Sequence, residues 1–130
     1  MKFRYKKFGP YLRPVIPVTV KNASKIANYE VLVDSGADLA VFDAEIGDAI
    51  GLDVTTGTRG SITGIAGQNA PSYAHKVEIE VGGWSFETDV AFMPQVGEVS
   101  NYGVVGQIGL FENFVVKFDY RKGEVELKPR

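Results

Sequence analysis

The sequence predicts a protein of the all-β class that also contains one or two short helices. Apolar residues occur in short runs, many of them alternating with polar residues, and Gly, Pro, Asn and Asp bound these runs. Strict alternation is typical of strands that bury one face, whereas helices repeat their apolar residues once per turn. Two pairs of such runs are also joined by glycine-containing turns, which indicates β-hairpins.

Eight strands follow from this pattern. The first hairpin joins two cleanly alternating runs through Gly82 and Gly83, because glycine accepts the positive φ angles of a tight turn. A second hairpin closes through Arg121, Lys122 and Gly123. The predicted strands are Val15–Val20, Tyr29–Asp34, Arg59–Ile65, Tyr73–Val81, Trp84–Phe92, Val104–Val105, Phe114–Tyr120 and Glu124–Lys128.

One short helix is predicted over Asp43–Leu52. Its apolar residues include Ile46 and Ile50, and Asp43 precedes them as an N-cap whose carboxylate can accept a free backbone N–H. A second helical turn is predicted after Gly106. Both segments are too short to change the predicted fold class.

Length and composition favour a single domain over residues 1–130. A chain of 130 residues with 45% apolar and 23% charged residues can bury a hydrophobic core without disulfides or metals. The absence of cysteine excludes thiolate chemistry and is typical of a reducing compartment, so the expected location is the cytoplasm. No apolar run reaches the ~20 residues of a membrane span and none follows the basic start, so neither a membrane segment nor a signal peptide is expected.

The charges are unevenly distributed along the chain. The net charge is −2, yet seven basic residues precede the first acidic residue, Glu30. This predicts a basic N-terminal arm over about residues 1–13 that lies against the acidic body of its own or a partner subunit. A nucleic-acid-binding β barrel is an alternative, but the acidic body disfavours it, so no nucleic-acid partner is expected. The early basic residues are Lys2, Arg4, Lys6, Lys7, Arg13, Lys21 and Lys25.

The most informative segment is VLVDSGAD at residues 31–38. An apolar strand ends abruptly at Asp34, which is followed by Ser35 and Gly36. A carboxylate at the end of an apolar strand is costly unless nearby donors compensate, and the Ser35 hydroxyl and the Gly36 N–H are such donors. Because Asp-Ser-Gly is also a common turn sequence, the segment is either a structural turn or a reaction centre.

Two further segments favour the reaction centre. The residues TGIAG at 63–67 put a bulky apolar side chain between glycines at the tip of a predicted hairpin, which indicates a mobile lid. The residues VVG at 104–106 form a short apolar strand that ends in glycine and suits a buried position beside the strand that carries Asp34. The chain order is therefore a carboxylate turn, a lid and a buried apolar strand.

This order, over about residues 15–128, resembles the retropepsin family of single-domain aspartic proteases. In that family a hydrophobic run ending in Asp-Ser/Thr-Gly-Ala forms the active-site loop, a glycine-rich flap covers the substrate, and an apolar strand with glycine supports the loop. The resemblance implies a closed β-barrel of the retropepsin type and an aspartic endopeptidase that acts on polypeptides.

The resemblance also implies a role for each matching residue. Asp34 would be the catalytic aspartate. Ser35 would take part in the hydrogen bonds between the loops of two subunits, and Gly36 would bind the substrate main chain. Ala37 would line the pocket beside it, and the Asp38 carboxylate would bind the substrate backbone. The other substrate-binding residues would be those of the flap and the apolar strand, namely Gly64, Ile65, Ala66, Gly67, Val104 and Val105.

Three features depart from the family pattern. In many members, an Arg follows the glycine that matches Gly106, and this Arg pairs with the acid that matches Asp38. This chain continues instead with Gln107 and Ile108. Ala66 stands where the flap has glycine, which stiffens the lid slightly. The chain ends also lack a match to the short terminal strands that join viral dimers.

The implied mechanism needs two aspartates that share one proton, because carboxylates about 3 Å apart cannot both ionise near neutral pH. One carboxylate takes a proton from the attacking water while its protonated partner hydrogen-bonds the developing oxyanion, so no metal or other cofactor is required. The sequence contains a single Asp-Ser/Thr-Gly. The second Asp34 would therefore come from a second copy, which implies a homodimer.

Other interpretations of these residues compete with the protease. A non-catalytic barrel that serves as a dimerisation or peptide-binding module, with Asp34 merely ending a strand, is the main alternative, since fold does not settle function. A metal site at Asp38, Asp43 and Asp48 is disfavoured because their spacing matches no calcium loop. His75, the only histidine, is expected to be a surface or hairpin side chain rather than a general base. The aromatic residues expected to pack on the first hairpin are Tyr73, Trp84, Phe86 and Phe92.

Overall fold

The structure is a computed structural model that describes residues 1–63, 67, 69–94 and 102–130. Most of these residues belong to β-strands. In chain order the elements are β1 (Lys2–Arg4), β2 (Lys6–Phe8), β3 (Tyr11–Arg13), β4 (Val15–Asn22), β5 (Lys25–Val33), β6 (Ala40–Asp43), α1 (Ala44–Ala49), a 3-10 turn (Val54–Thr56), β7 (Thr58–Thr63), β8 (Asn69–Val81), β9 (Trp84–Met93), β10 (Gly103–Val105), α2 (Leu110–Asn113), β11 (Phe114–Asp119) and β12 (Glu124–Pro129).

Six of the strands close into a barrel. Neighbouring strands pair in the order β4, β5, β10, β6, β9 and β8, and β4 also pairs with β8, which joins the two ends of the sheet. Strand β7 pairs with β8 and forms a hairpin with it. The all-β class with short helices that the sequence pattern predicts, and the closed β-barrel that the resemblance implies, are therefore confirmed.

Strand β10 lies between β5 and β6 in this barrel. It runs parallel to β5, with Gly103 opposite Val31 and Val105 opposite Val33, and antiparallel to β6. Its first and last residues are buried. The prediction that this short apolar strand passes through the core beside the strand that leads to Asp34 is confirmed.

Aromatic rings fill the centre of the barrel. Phe42 on β6 is fully buried, and its ring lies edge-on to the rings of Tyr29, 5.2 Å away, and Phe92, 6.1 Å away. Perpendicular ring pairs of this kind stabilise a core beyond the area that they bury. The largest fully buried side chains are Phe42, Phe92, Phe114, Ile16, Ile50, Ile79, Leu110, Leu127, Val15, Val20, Val31 and Val81.

The core predicts a clear difference between two Phe→Ala substitutions. Phe42→Ala removes a 0% exposed ring and leaves a cavity, so we expect the free energy of unfolding to fall by about 3–5 kcal/mol. Phe118→Ala removes a ring that is 40% exposed, so the expected loss is about 1 kcal/mol. Urea denaturation followed by tryptophan fluorescence measures both values, and equal losses would contradict this description of the core.

The basic N-terminal residues form short strands that lie against the rest of the same chain. Strand β1 pairs with the C-terminal strand β12, which also pairs with β11, so the three form a sheet within one chain. Strands β2 and β3 form a hairpin, from which Lys6 makes an ion pair with Glu30. Lys21 bonds Glu80 at 2.7 Å, and this hydrogen bond raises the pKa of Lys21. Part of the basic charge is thus neutralised by the chain's own acidic residues.

Arg13 attaches the β2–β3 hairpin to the barrel. Its guanidinium donates to the Tyr102 hydroxyl at 2.5 Å and lies about 6 Å from the ring centres of Phe8, Tyr11 and Tyr102. Tyr102 directly precedes β10. The cation and its aromatic neighbours therefore fix the hairpin beside the strand that supports the candidate site.

Several strand boundaries differ from those that the sequence predicts. The sequence does not indicate β1, β2, β3 or β6, and β5 begins at Lys25 rather than Tyr29. The early part of β5 is missed because Ile26 is 61% exposed, so its apolar residues mark no buried face. Strand β6 has four residues, too few for alternation to show. The strand predicted over Arg59–Ile65 is present as far as Thr63, and its last two residues lie outside the described part of the chain.

Both predicted helical segments are present. Helix α1 covers Ala44–Ala49, and Asp43 Oδ1 accepts the Glu45 N–H at 2.9 Å, as predicted for an N-cap. The helix is shorter than predicted because Gly51 takes a φ of 82° and turns the chain away. Helix α2 covers Leu110–Asn113. Within the part of the chain that the structure describes, no helix has the length and apolar character to cross a membrane.

Both predicted hairpin turns are confirmed, but one aromatic packing prediction is wrong. Gly82 and Gly83 join β8 to β9 with positive φ angles of 54° and 87°. Gly123 has a φ of 67° in the turn between β11 and β12. Of the aromatic residues assigned to the first hairpin, Trp84 is 55% exposed. It lies at the turn, whereas β6 pairs with the opposite end of β9, so this part of the hairpin lacks that neighbouring strand.

Candidate active site

Asp34 follows the last residue of β5 and begins a loop, residues 34–38, that we call the Asp34 loop. Two backbone hydrogen bonds fix the place where the chain leaves the sheet. The Val33 N–H donates to the Pro14 carbonyl at 2.9 Å, and the Asp34 N–H donates to the Val105 carbonyl at 2.9 Å. The ends of β5 and β10, together with Pro14 just before β4, therefore determine where the Asp34 carboxylate lies.

The loop turns tightly around the Asp34 side chain. The Gly36 N–H donates to Asp34 Oδ1 at 2.8 Å, and the Ala37 N–H donates to the Asp34 carbonyl at 3.2 Å. The carboxylate is half-buried, while Ser35 and Gly36 are exposed. A carboxylate that is held by a backbone donor and still reaches solvent can exchange protons with a bound water or substrate.

The far side of the loop is bonded to the segment that follows β10. The Gln107 N–H donates to the Ala37 carbonyl at 2.8 Å, and the Ile108 N–H donates to the Asp38 carbonyl at 2.9 Å. These bonds require close contact at Gly106, where an added Cβ would lie 2.1 Å from the Ala37 oxygen. Glycine at this position is therefore a steric requirement of the loop.

One side chain also reaches the middle of the loop. Gln107 Nε2 donates to the Ser35 carbonyl at 2.7 Å. In the sequence, Gln107 stands out only as a departure from the family's arginine, and no function is predicted for it. Its position directly after the glycine that contacts the loop is the signal that could have identified it.

The structure brings together two of the three predicted motifs, the Asp34 loop and the apolar strand β10. Ala37 is half-buried and Asp38 is exposed at the end of the Asp34 loop. Val104 is half-buried, whereas Val105 is 2% exposed and belongs to the hydrophobic core. Because neighbouring residues of a strand point to opposite faces, only Val104 of this pair has an accessible side chain.

The lid predicted over residues 63–67 falls in the connection between β7 and β8. The two strands pair as far as Thr63 and Asn69, whose side chains share a hydrogen bond of 2.5 Å. The lid residues Gly64, Ile65 and Ala66 lie outside the described residues. Gly67 is exposed and has a positive φ of 81°.

The other titratable residues that the sequence singles out have structural contacts. His75 Nε2 lies 2.8 Å from the Val54 carbonyl and its ring packs against Phe92, so it is a hairpin side chain as predicted. Asp43 caps α1, and its N–H also bonds the Tyr29 hydroxyl at 3.4 Å. Burial raises the pKa of Tyr29, while the hydrogen bond from the Asp43 N–H acts in the opposite direction.

Comparisons with known proteins give a consistent result. The family model described as "Aspartyl protease" matches residues 16–108. Among solved structures, a retropepsin-like aspartic protease from Rickettsia conorii superposes with a TM-score of 0.70 at 15% identity, covering 98% of this chain and 89% of that one. The EIAV protease complexed with the inhibitor HBY-793 superposes with a TM-score of 0.53 at 21% identity, covering 78% of this chain and 88% of that one.

A search of curated proteins returns no match. The two structural similarities are below 25% identity and therefore describe the fold, whereas the family match extends over most of the sequence and includes both the Asp34 loop and β10. The barrel, the carboxylate at the end of β5 and the supporting strand β10 agree with this match. The chain belongs to the aspartyl protease family and has the retropepsin-like fold.

Proposed function

We propose that this protein is an aspartic endopeptidase whose active site combines the Asp34 side chains of two identical chains. The observation that carries the proposal is the position of Asp34. Its carboxylate lies at the end of a buried strand, accepts the Gly36 N–H, and remains accessible in an exposed loop. A turn that served only to end a strand would not need the further bonds that fix this loop to β10 and to Gln107.

The homodimer follows from the number of carboxylates that the reaction requires. The mechanism needs two aspartates that share one proton, and the sequence contains one Asp-Ser/Thr-Gly. A two-fold axis beside the exposed residues Ser35 and Gly36 would bring two Asp34 side chains together. Because β1 and β12 pair within one chain, the dimer contact centres on the two Asp34 loops rather than on exchanged terminal strands.

Each group of the paired loops has a role in peptide hydrolysis. The ionised Asp34 takes a proton from a water molecule, and this water attacks the carbonyl carbon of the peptide bond. The protonated Asp34 of the other chain donates a hydrogen bond to the oxyanion and then supplies the proton that the leaving amine requires. The Gly36 N–H keeps the base oriented through its bond to Oδ1.

The substrate is a polypeptide in an extended conformation. The exposed Asp38 carboxylate and the backbone of Gly36 are available to bind its main chain, while Ala37 and Val104 offer apolar surface to its side chains. The β7–β8 hairpin would cover it with the lid residues 64–67. Val105 acts from the core, through its carbonyl bond to the Asp34 N–H.

A chain-mixing experiment tests the shared site. Wild type and a tagged Asp34→Asn chain are unfolded together, refolded in equal amounts, and assayed on a peptide library between about pH 3 and pH 8. If both Asp34 side chains are needed, random pairing leaves about one quarter of the activity of wild type at the same total concentration. Capture of untagged wild type on the affinity resin confirms that the chains have mixed.

Two other results would point elsewhere. An equal mixture that retains half of the activity, with mixing confirmed, would show that each chain works alone and would contradict the shared site. If wild type binds peptides but cleaves none of them at any pH, this result would favour the non-catalytic module instead.

A further inference from the structure

We propose that Gln107 is a positioning residue for the reaction at Asp34, acting through the peptide group between Ser35 and Gly36. This inference rests on the proposed function. The Gln107 side-chain amide donates to the Ser35 carbonyl at 2.7 Å, and the next N–H in the chain, that of Gly36, donates to Asp34 Oδ1 at 2.8 Å. One peptide group therefore connects the Gln107 amide to the candidate catalytic carboxylate.

The rigidity of the peptide group makes this connection effective. The Ser35 carbonyl and the Gly36 N–H belong to the same planar unit and point in opposite directions. Fixing the carbonyl therefore also fixes the direction in which the N–H points. In addition, a hydrogen bond to the carbonyl polarises the peptide and strengthens donation by its N–H. Gln107 thus orients the donor that holds Asp34 and increases its strength.

Among the described residues, Gln107 is the residue outside the Asp34 loop that donates a hydrogen bond to this peptide group. The backbone bonds from Asp34 to Val105, from Gln107 to Ala37 and from Ile108 to Asp38 secure the two ends of the loop. The middle, where Ser35 and Gly36 are exposed, depends on the Gln107 side chain. Without it the peptide group could rotate and withdraw its N–H from the carboxylate.

The hydrogen bonds from outside that hold the Asp34 loop come from uncharged residues. Asp38 shares the loop and is exposed. Val105, at the end of β10, and Gln107 and Ile108, which follow it, are the uncharged residues that bond to the loop on this side. On the β4 side, Pro14 follows Arg13, whose guanidinium donates to Tyr102. A neutral amide fixes the loop without adding a positive charge to a carboxylate pair that must retain one proton.

The first test compares two Ala substitutions that each remove an amide-to-carbonyl bond. Gln107→Ala is expected to lower kcat by about 10-fold, with KM changing by less than about two-fold, because the base is displaced while the binding surface remains. The control is Asn113→Ala, since Asn113 Nδ2 bonds the Gly109 carbonyl at the same 2.7 Å. It is expected to change neither kcat nor KM.

A second variant links the effect to the hydrogen bond itself. In Gln107→Glu, the introduced carboxyl can donate to the Ser35 carbonyl only while it is protonated. Activity relative to wild type should therefore recover as pH falls through about 4–5 and should be lost as pH rises above it. Gln107→Ala should show no such recovery. Thermal unfolding midpoints of all variants, measured at each pH, separate this effect from a loss of fold.

A readout that does not depend on activity separates this proposal from the proposed function. Hydrogen exchange of the Gly36 amide, followed by NMR, should be faster in Gln107→Ala than in wild type or Asn113→Ala. If wild type and Asp34→Asn are equally inactive, the proposed function fails, and Gln107 then has no reaction to position whatever its exchange result. If wild type is active, three results would each overturn the role of Gln107. These are a wild-type kcat in Gln107→Ala, an equal loss of kcat in Asn113→Ala, and unchanged hydrogen exchange of the Gly36 amide in Gln107→Ala.

Discussion

Replacement of Asp34 with Asn is expected to lower kcat for peptide hydrolysis by at least ~10³-fold. The amide has nearly the same shape as the carboxylate, and its oxygen can still accept the Gly36 N–H, so the loop should keep its conformation. It cannot take a proton from water, and it cannot share a proton with a second carboxylate. The reaction therefore loses its base while the fold keeps its stability.

The matched control is Asp48→Asn, the same change on an exposed residue of α1 that lies outside the Asp34 loop. Initial rates on one cleaved peptide and thermal unfolding midpoints are measured for both variants. Asp48→Asn should keep the wild-type rate. Wild-type hydrolysis by a folded Asp34→Asn protein would rule out Asp34 as the catalytic residue.

Replacement of Gly106 with Ala is expected to destabilise the fold by about 2–3 kcal/mol and to reduce peptide hydrolysis by ~10²-fold. The added Cβ would lie 2.1 Å from the Ala37 oxygen and 2.7 Å from its carbonyl carbon. These are backbone atoms, so no side-chain rotation can relieve the contact. The loop must move away from β10, which breaks the bond of 2.8 Å between the Gln107 N–H and the Ala37 carbonyl.

Two further variants test this steric explanation. Gly60→Ala is the same substitution at an exposed position on β7, where the added Cβ would meet the Ser72 hydroxyl at 3.6 Å, so its effect on unfolding should be below about 1 kcal/mol. Adding Ala37→Gly to Gly106→Ala removes the Ala37 Cβ but not its carbonyl, so it should not restore stability. Recovery in the double variant, measured by urea denaturation, would show that the clash is not with the backbone.

The sequence predicts much of the barrel because the relevant signals are local. Alternating residues on β8 and β9, with Gly82 and Gly83 between them, identify the long hairpin whatever else the chain contains. The abrupt end of an apolar run at Asp34 likewise locates the candidate carboxylate. Strands such as β1 and β6 escape prediction because they are short and owe their stability to distant partners, β12 in one case and β9 and β10 in the other.

The order of residues alone identifies the carboxylate at the end of the apolar run, the places where the chain turns, and the single Asp-Ser/Thr-Gly within these 130 residues. Only the tertiary structure decides that Val105 faces the core, that Gly106 must lack a side chain, and that the Gln107 amide reaches Ser35, 72 residues away in sequence. The reason is physical. Apolar periodicity and glycine turns act between neighbouring residues, whereas a steric contact or a side-chain hydrogen bond between remote segments exists only after the barrel has brought them together.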